Sequence, residues 1–156
     1  MSIDSVRAHL SEAAPEITII ETEASSATVE EAAAAHGVKP AQIAKTLSFS
    51  VKDDRFLLVA RGDARIDNKK AKAAFGGKVR MLSLDDVETI TGHPVGGVCP
   101  FGLAQPITVY CDVSLQAFDE VYPAAGARNA AIRIPPERIA EITGADWVDV
   151  CQDPAA

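Results

Sequence analysis

A β-hairpin over residues 45–62 is the feature that most constrains how this chain folds. The segment KTLSFSV is followed by a polar KDD turn and then by RFLLVARG. Apolar and polar residues alternate in the first arm, which is typical of a strand with one buried face. The second arm is a nearly continuous apolar run and indicates a well-buried strand. We therefore expect a β-hairpin with one well-buried arm.

Short helices and further strands alternate irregularly around the hairpin. Because several strands are joined by hairpin turns, the pattern favours a mixed, mostly antiparallel sheet flanked by helices over a regular doubly wound fold. The predicted fold class is therefore α/β of an α+β-like kind, with a single domain over residues 1–156. Helices are predicted over residues 2–12, 28–37, 67–76, 83–92 and 136–144, with a helical turn over 40–44. The other strands are predicted over residues 17–20, 79–82, 107–113, 120–124, 129–134 and 147–151.

The composition is that of a globular protein and excludes several classes. Apolar residues make up 47% and charged residues 24% of the 156 residues. No apolar run approaches the roughly 18 residues that a membrane span needs, and the first residues lack the apolar core of a signal peptide. We expect a cytoplasmic protein without a membrane partner. The three cysteines and three histidines are widely scattered, so we predict reduced thiols, no metal site and no cofactor.

The charge is distributed unevenly along the chain. The net charge is −7, yet residues 39–80 hold eleven of the fifteen Lys and Arg residues and only four of the 22 acids. This segment therefore carries +7 and the rest carries −14. Such an asymmetry can direct an anionic partner to one region of the surface. A mixed, solvated surface that is merely rich in lysine is the alternative.

The segment GHPVGGVCPFGL, residues 92–103, combines four glycines and two prolines with no acidic or basic residue except a histidine. Residues 97–102 superficially match the start of a phosphate-binding P-loop, but Leu103 stands where that motif has lysine. A glycine-rich loop with conformationally fixed prolines can turn successive N–H groups toward one point and so bind a carbonyl or phosphate oxygen. A tight crossover between helix and strand is the alternative.

Two side chains near these features are candidates for chemistry. Lys45 falls in the register of the inward-facing Leu47 and Phe49, where an ammonium group is uncommon unless it meets an anion or a carbonyl. Its side chain could instead extend to the edge of the sheet. A nucleophilic Cys99 with His93 as its base is disfavoured, because Pro94 intervenes and the setting of the thiol is apolar.

QIAKTLSF at residues 42–49, followed some fifty residues later by GHPVGGVCPFGL, resembles the YbaK/EbsC family. This family includes free-standing relatives of the editing domain inserted in bacterial prolyl-tRNA synthetases. The resemblance extends from the first helix to the strand near residue 150. It implies a mixed sheet that is partly closed like a barrel. It also implies hydrolysis of the ester that joins a wrong amino acid to its tRNA.

The resemblance also implies roles for individual residues. Lys45 matches the functional lysine and would hold the terminal adenosine's phosphate or the amino-acid end. The glycine-rich loop, with Gly97 and Val98, would form a pocket wall and present backbone groups to the aminoacyl carbonyl. Thr46 stands where some alanine-editing relatives have asparagine, and Cys99 stands where many relatives have serine. The predicted substrate-binding set is Thr46, Cys99, Pro100, Phe101, Gly102 and Asn129.

The resulting hypothesis is a trans-acting aminoacyl-tRNA deacylase that works by positioning and electrophilic stabilisation. Its partners are the acceptor end of aminoacyl-tRNA and, as a further candidate, an aminoacyl-tRNA synthetase. Non-specific phosphate contacts are assigned to Lys69, Lys70 and Lys72. A non-catalytic module that binds aminoacyl-tRNA or a synthetase is the first alternative, and a hydrolase of small esters is the second. The amino acid removed, the attacking group and the oligomeric state stay open.

Overall fold

The predicted hairpin forms the centre of the main sheet. In the computed structural model, which describes residues 2–152, β2 (Ile43–Val51) and β3 (Asp54–Arg61) pair antiparallel along their length. Lys45 lies opposite Ala60 and Thr46 lies opposite Val59. The turn between the strands places Lys52 at φ 55°, in the left-handed region. The register of the hairpin thus determines where Lys45 and Thr46 lie.

The other strands are β1 (Ile20–Glu21), β4 (Arg80–Met81), β5 (Thr108–Asp112), β6 (Tyr122–Pro123), β7 (Ala130–Ala131) and β8 (Asp146–Val148). The main sheet is mixed and has the order β4-β2-β3-β5-β8. β6 pairs with the same edge of β2 as β4 does, but at the opposite end of the strand, and β1 and β7 form a separate two-stranded sheet.

The fold class predicted from sequence is confirmed, but the partly barrel-like closure is wrong. Within residues 2–152 no strand pairing joins β4 to β8, so the sheet stays open.

Several strands are shorter than the sequence pattern predicts. β6 covers two residues of the predicted 120–124, and β7 covers two of the predicted 129–134. Pro123 accepts a hydrogen bond from the N–H of Ile132 but has no N–H group to donate in return, which limits pairing between β6 and the segment of β7. β6 pairs with β2 only at Ile43 and Ala44.

Within residues 2–152 five helices flank the sheets, and glycine and hydroxyl residues mark several of their ends. Thr28 and Glu31 form the predicted capping box, and Gly37 ends the same helix in the left-handed conformation. No helix within residues 2–152 has the length and apolar character needed to cross a bilayer. The helices are α1 (Ser2–Ala13), α2 (Val29–His36), α3 (Asn68–Phe75), α4 (Leu84–Thr91) and α5 (Pro136–Thr143), with 3₁₀ turns at Pro40–Gln42 and Val113–Ala117.

Hydrophobic side chains cover β3 on both faces. Leu57 and Val59 belong to the largest buried cluster, together with Phe101 of the glycine-rich loop. Phe56 and Leu58 point the other way, into a second cluster that lies against α3. Burial on both faces explains why the second arm of the hairpin is a continuous apolar run.

Candidate functional site

A cavity of about 240 Å³ lies beside the outer edge of β2. Its walls are mostly apolar and come from β2, from α2 and α4, and from the start of the glycine-rich loop. The volume and the apolar lining suit a small organic group with a few polar contacts. Residues that characterise the walls are Val29, Lys45, Thr46, Val87, Gly96 and Val98.

The cavity exists because two short strands leave a gap between them. On the outer edge of β2, β6 pairs with Ile43 and Ala44, and β4 pairs with Phe49 and Ser50. Residues 45–47 between them have no neighbouring strand on that side within the described part of the chain. The gap gives access to the strand backbone, and α2, α4 and the loop at 95–98 surround it.

Lys45 borders this gap, and its ammonium group points toward the segment that follows β3. Nζ donates a hydrogen bond to the carbonyl oxygen of Ala64 at 2.5 Å. Partial burial lowers the pKa of Lys45 below its ordinary value, and Cys151 and Asp63 partly offset that effect. By strand alternation Lys45 faces the side opposite Ala44, which packs in the large core with the loop residue Phe101. The Lys45 ammonium and the glycine-rich loop therefore lie on opposite faces of β2, although Lys45, Gly96 and Val98 all border the cavity.

Thr46 contributes a polar group that has no hydrogen-bond partner among the described residues 2–152. Its Oγ1 is buried without a hydrogen bond, and the residue lines the cavity. Buried hydroxyl groups in folded proteins are nearly always hydrogen-bonded. This atom therefore marks a position where a bound molecule could supply the missing contact.

The glycine-rich loop is held by contacts that use several of its amides. Gly97 donates its N–H to the carbonyl oxygen of Pro94 at 2.9 Å, and its own carbonyl accepts from the N–H of Gly126 at 3.0 Å. A Cβ atom on Gly97 would lie 2.6 Å from the nitrogen of Ala127, so this close approach requires glycine. Gly102 donates its N–H to Nδ1 of His9 at 2.9 Å. The residues of the loop that line the cavity include Gly96 and Val98, whereas Gly97 is buried behind them.

Behind the loop, a buried histidine joins α1 to the loop. Nε2 of His93 donates to the carbonyl oxygen of Phe101 at 2.7 Å, and Nδ1 accepts from the hydroxyl group of Ser2. Cys99 is fully buried beside this ring, and burial raises the pKa of its thiol to about 12. The thiol is therefore protonated at neutral pH. Cys99 and Phe101 pack in the core and do not line the cavity.

We expect His93→Phe to lower the free energy of unfolding by about 2–4 kcal/mol, because it leaves the Phe101 carbonyl and the Ser2 hydroxyl without partners. Burial lowers the pKa of His93 below its ordinary value of 6.5. The unfolded chain therefore binds more protons than the folded chain as the pH falls below 6.5, and the folded state loses stability in that window. Urea denaturation at pH 7.5 and pH 5.5 measures both effects.

The control for this prediction compares how much stability the wild type and His93→Phe each lose between pH 7.5 and pH 5.5. Burial also lowers the pKa of His36, which is present in both proteins and contributes equally to each. The wild type should lose more stability between the two pH values than His93→Phe does. An identical pH dependence in the two proteins contradicts the role assigned to the buried imidazole.

Two other predicted substrate-binding residues lie outside the cavity. Pro100 lines a separate hollow together with His9 and Leu103, on the side of the molecule that carries α1 and α5. Asn129 donates from Nδ2 to the carbonyl oxygen of Thr22 at 3.0 Å, which ties β7 to the segment after β1. Of the predicted site residues, Lys45, Thr46 and Val98 line the cavity. The other members of the set do not.

The predicted phosphate-binding lysines lie on α3, next to the segment that the Lys45 ammonium contacts. Lys69 and Lys72 are exposed. Lys70 is partly buried and contacts Asp149 Oδ1 at 3.3 Å and the Cys151 carbonyl oxygen at 3.0 Å. Lys69 and Lys72 are therefore the exposed lysines of α3, the helix that follows the segment contacted by the Lys45 ammonium.

The walls of the cavity limit the chemistry that the site can perform. No carboxylate, imidazole or thiol is among the residues that line it within the described part of the chain. Across residues 2–152, no group of three or more His, Cys, Asp or Glu side chains is placed to hold a metal ion. The groups available are one ammonium, hydroxyls and main-chain amides, which stabilise developing negative charge rather than transfer protons.

The sequence did not reveal the residues that line the cavity but lie outside the segments that carry Lys45 and Val98, nor that Gly96 faces it. Gly96, Val87 and the segment 26–29 border the cavity, as do Tyr122 and Ala124. The glycine pair at 96–97 was a visible signal, but the pattern could not tell which glycine faces the cavity. The others are ordinary core and helix residues, and only the tertiary fold brings them together.

The structure is an open mixed sheet with an apolar cavity and a lysine at the edge of β2, and comparisons with known proteins identify the family of the domain. A family model described as an aminoacyl-tRNA editing domain matches residues 23–142. The uncharacterized YwhH protein of Bacillus subtilis is 51% identical over 155 residues, which are 98% of this chain and 99% of YwhH. EbsC of Enterococcus faecalis, for which a Cys-tRNA(Pro)/Cys-tRNA(Cys) deacylase activity has been proposed, is 31% identical over 125 residues. That match covers 79% of this chain and 76% of EbsC.

This chain belongs to the aminoacyl-tRNA editing domain family, which confirms the resemblance seen in the sequence. The crystal structure of a proposed trans-editing enzyme for prolyl-tRNA synthetase superposes with a TM-score of 0.89 at 32% identity, and the match covers 97% of this chain and 98% of that one. A proline–tRNA ligase of Lysinibacillus sphaericus is 30% identical over 127 residues, which are 79% of this chain and 22% of the ligase.

Proposed function

We propose that this protein hydrolyses the ester bond of mischarged aminoacyl-tRNA in trans, in the cytoplasm. The observation that carries the proposal is the cavity at the edge of β2, which Lys45, Thr46 and Val98 line together in a chain of the editing-domain family. The cavity receives the aminoacyl group. Its mostly apolar walls favour a small, uncharged side chain.

The mechanism is positioning combined with stabilisation of the oxyanion. Because the walls offer no carboxylate, imidazole or thiol, the attacking group is water or a group of the substrate itself. The N–H of Gly97 and the N–H of Gly102 are already bonded within the protein. The amides that polarise the ester carbonyl therefore come from cavity-lining residues such as Val98.

Lys45 connects the cavity to the segment that precedes α3. Its side chain borders the cavity, and its ammonium lies at Ala64, between β3 and the lysines of α3. In this position the ammonium binds the phosphate or ribose of the terminal adenosine while the amino acid occupies the cavity. Binding at both ends fixes the ester in a reactive orientation.

We expect Lys69→Ala and Lys72→Ala each to weaken tRNA binding by about threefold and to reduce the salt slope of log Kobs by about 1. Both side chains are exposed, and their loss leaves the cavity intact. Arg133→Ala is the matched control, because it removes an equal charge from an ion pair with Glu120 outside residues 39–80. Filter binding at several salt concentrations measures the slopes. Equal losses in all three variants contradict the assignment of a tRNA surface to α3.

A panel of labelled aminoacyl-tRNAs under single-turnover conditions tests the proposed function. At least one mischarged tRNA should release its amino acid well above the spontaneous rate, and simple amino-acid ethyl esters should not. Binding of the tRNA without release would instead identify a non-catalytic module. Efficient hydrolysis of the simple esters without affinity for tRNA would identify a hydrolase of small esters. Either of those results rejects the proposal.

A further inference from the structure

The open edge of β2 exposes the main-chain groups of Thr46. Ser48 accepts a hydrogen bond from the N–H of Leu82 at 3.1 Å, so its main-chain groups point toward the outer edge. In an antiparallel ladder, residues alternate between those bonded to one neighbour and those that face the other. Thr46, two residues before Ser48, therefore also directs its N–H and C=O to the outer edge.

No strand satisfies these groups of Thr46. β6 ends its pairing at Ala44, and the next contact along the edge is that of Leu82 with Ser48. Within residues 2–152, no hydrogen bond to the outward N–H or C=O of Thr46 is found. The buried Oγ1 of the same residue also lacks a partner. Backbone groups and buried hydroxyls are normally paired, so three unmet groups on one wall of a cavity indicate the position of a ligand.

An α-aminoacyl ester carries the two groups that complement this edge. Its α-ammonium is a donor and its carbonyl oxygen is an acceptor, in the arrangement of one residue of a β-strand. Two directly opposed residues in an antiparallel pair exchange both of their main-chain hydrogen bonds. Extended ligands bind sheet edges in proteins through the same exchange. An N-acylated amino acid or an α-hydroxy acid lacks the charged donor.

We propose that Thr46 recognises the free α-amino group of the substrate, with its C=O accepting from the α-ammonium and its N–H donating to the ester carbonyl. This inference rests on the proposed function and specifies its substrate class as esters of amino acids with an unmodified α-amine. The N–H contact strengthens as the carbonyl oxygen gains negative charge during attack. The side chain of the amino acid then extends into the apolar part of the cavity.

The test compares three non-hydrolysable analogues that share a methyl side chain. They are adenosines that carry alanyl, N-acetylalanyl or lactyl groups through a 3′-amide. Titration calorimetry should show that the alanyl analogue binds at least about tenfold more tightly than the other two, because a charge-assisted hydrogen bond is lost in those. The Thr46 amide should also exchange its hydrogen more slowly when the alanyl analogue is bound.

The Thr46→Val variant separates the main chain from the hydroxyl group. It keeps the N–H and C=O of residue 46, so the preference for the alanyl analogue should persist. Equal affinity for the three analogues, or an unprotected Thr46 amide in the complex, overturns the inference. If hydrolysis of an aminoacyl-tRNA is observed in the panel, the proposed function survives that result. Failure of all three analogues to bind overturns the inference and, with no hydrolysis in the panel, the proposed function as well.

Discussion

Replacing Lys45 with alanine should lower kcat/KM for deacylation by about two to three orders of magnitude while the fold is retained. The expected size is that of removing one well-placed group that stabilises charge and orients the substrate. The fold should survive because the ammonium is partly desolvated, so its removal relieves an unfavourable burial and breaks one hydrogen bond to Ala64. Single-turnover hydrolysis and urea denaturation of the same preparations measure the two effects.

Lys45→Met is the matched control for this prediction. Methionine keeps most of the aliphatic side chain beside the cavity and removes the ammonium group with its hydrogen bond to Ala64. The account predicts that Lys45→Met loses as much activity as Lys45→Ala. Near wild-type activity in Lys45→Met would show that packing of the side chain, and not the ammonium, supports catalysis.

Replacing Gly96 with alanine should reduce activity by about a hundredfold. Gly96 lines the cavity at φ 89°, and a Cβ atom there would lie 2.7 Å from the Cβ of Ala27. The loop has to move away from the wall formed by residues 26–29, and a displacement of about 1 Å at a reacting group can cost about a hundredfold in rate. The same assay of single-turnover hydrolysis measures the loss.

Gly37→Ala provides the control for backbone strain. Gly37 also has a positive φ, of 66°, but a Cβ atom there meets nothing within 4 Å. Both variants should lose roughly 1–2 kcal/mol of stability from the left-handed conformation, which alanine tolerates poorly. Only Gly96→Ala should lose activity. A similar loss of activity in both variants would mean that general destabilisation explains the effect.

The sequence predicted the local elements well because their signals are local. The alternation of Leu47 and Phe49 and the apolar run after the turn specify the hairpin, and the capping box at Thr28 specifies the start of α2. Lys45 could be placed on an inward register for the same reason. Its position at the edge of a gap could not be predicted, since the gap depends on where β4 and β6 stop pairing.

The glycine-rich loop shows the limit of the same reasoning. The sequence indicated an apolar setting for the thiol of Cys99, and Cys99 and Phe101 are both fully buried. Which amides face the cavity depends on partners far away in the chain, because His9 occupies the N–H of Gly102 and Gly126 lies against Gly97. The expected barrel-like closure came from the resemblance and not from the residues, and the open sheet corrects it.

A crystal structure with the non-hydrolysable alanyl-adenosine analogue would locate the aminoacyl group in the protein. We expect electron density for the alanyl group in the cavity beside Thr46 and Val98, with the adenosine directed toward Lys45 and α3. Density in the separate hollow at His9 and Pro100, with the cavity at the edge of β2 empty, would show that this cavity is not the substrate site.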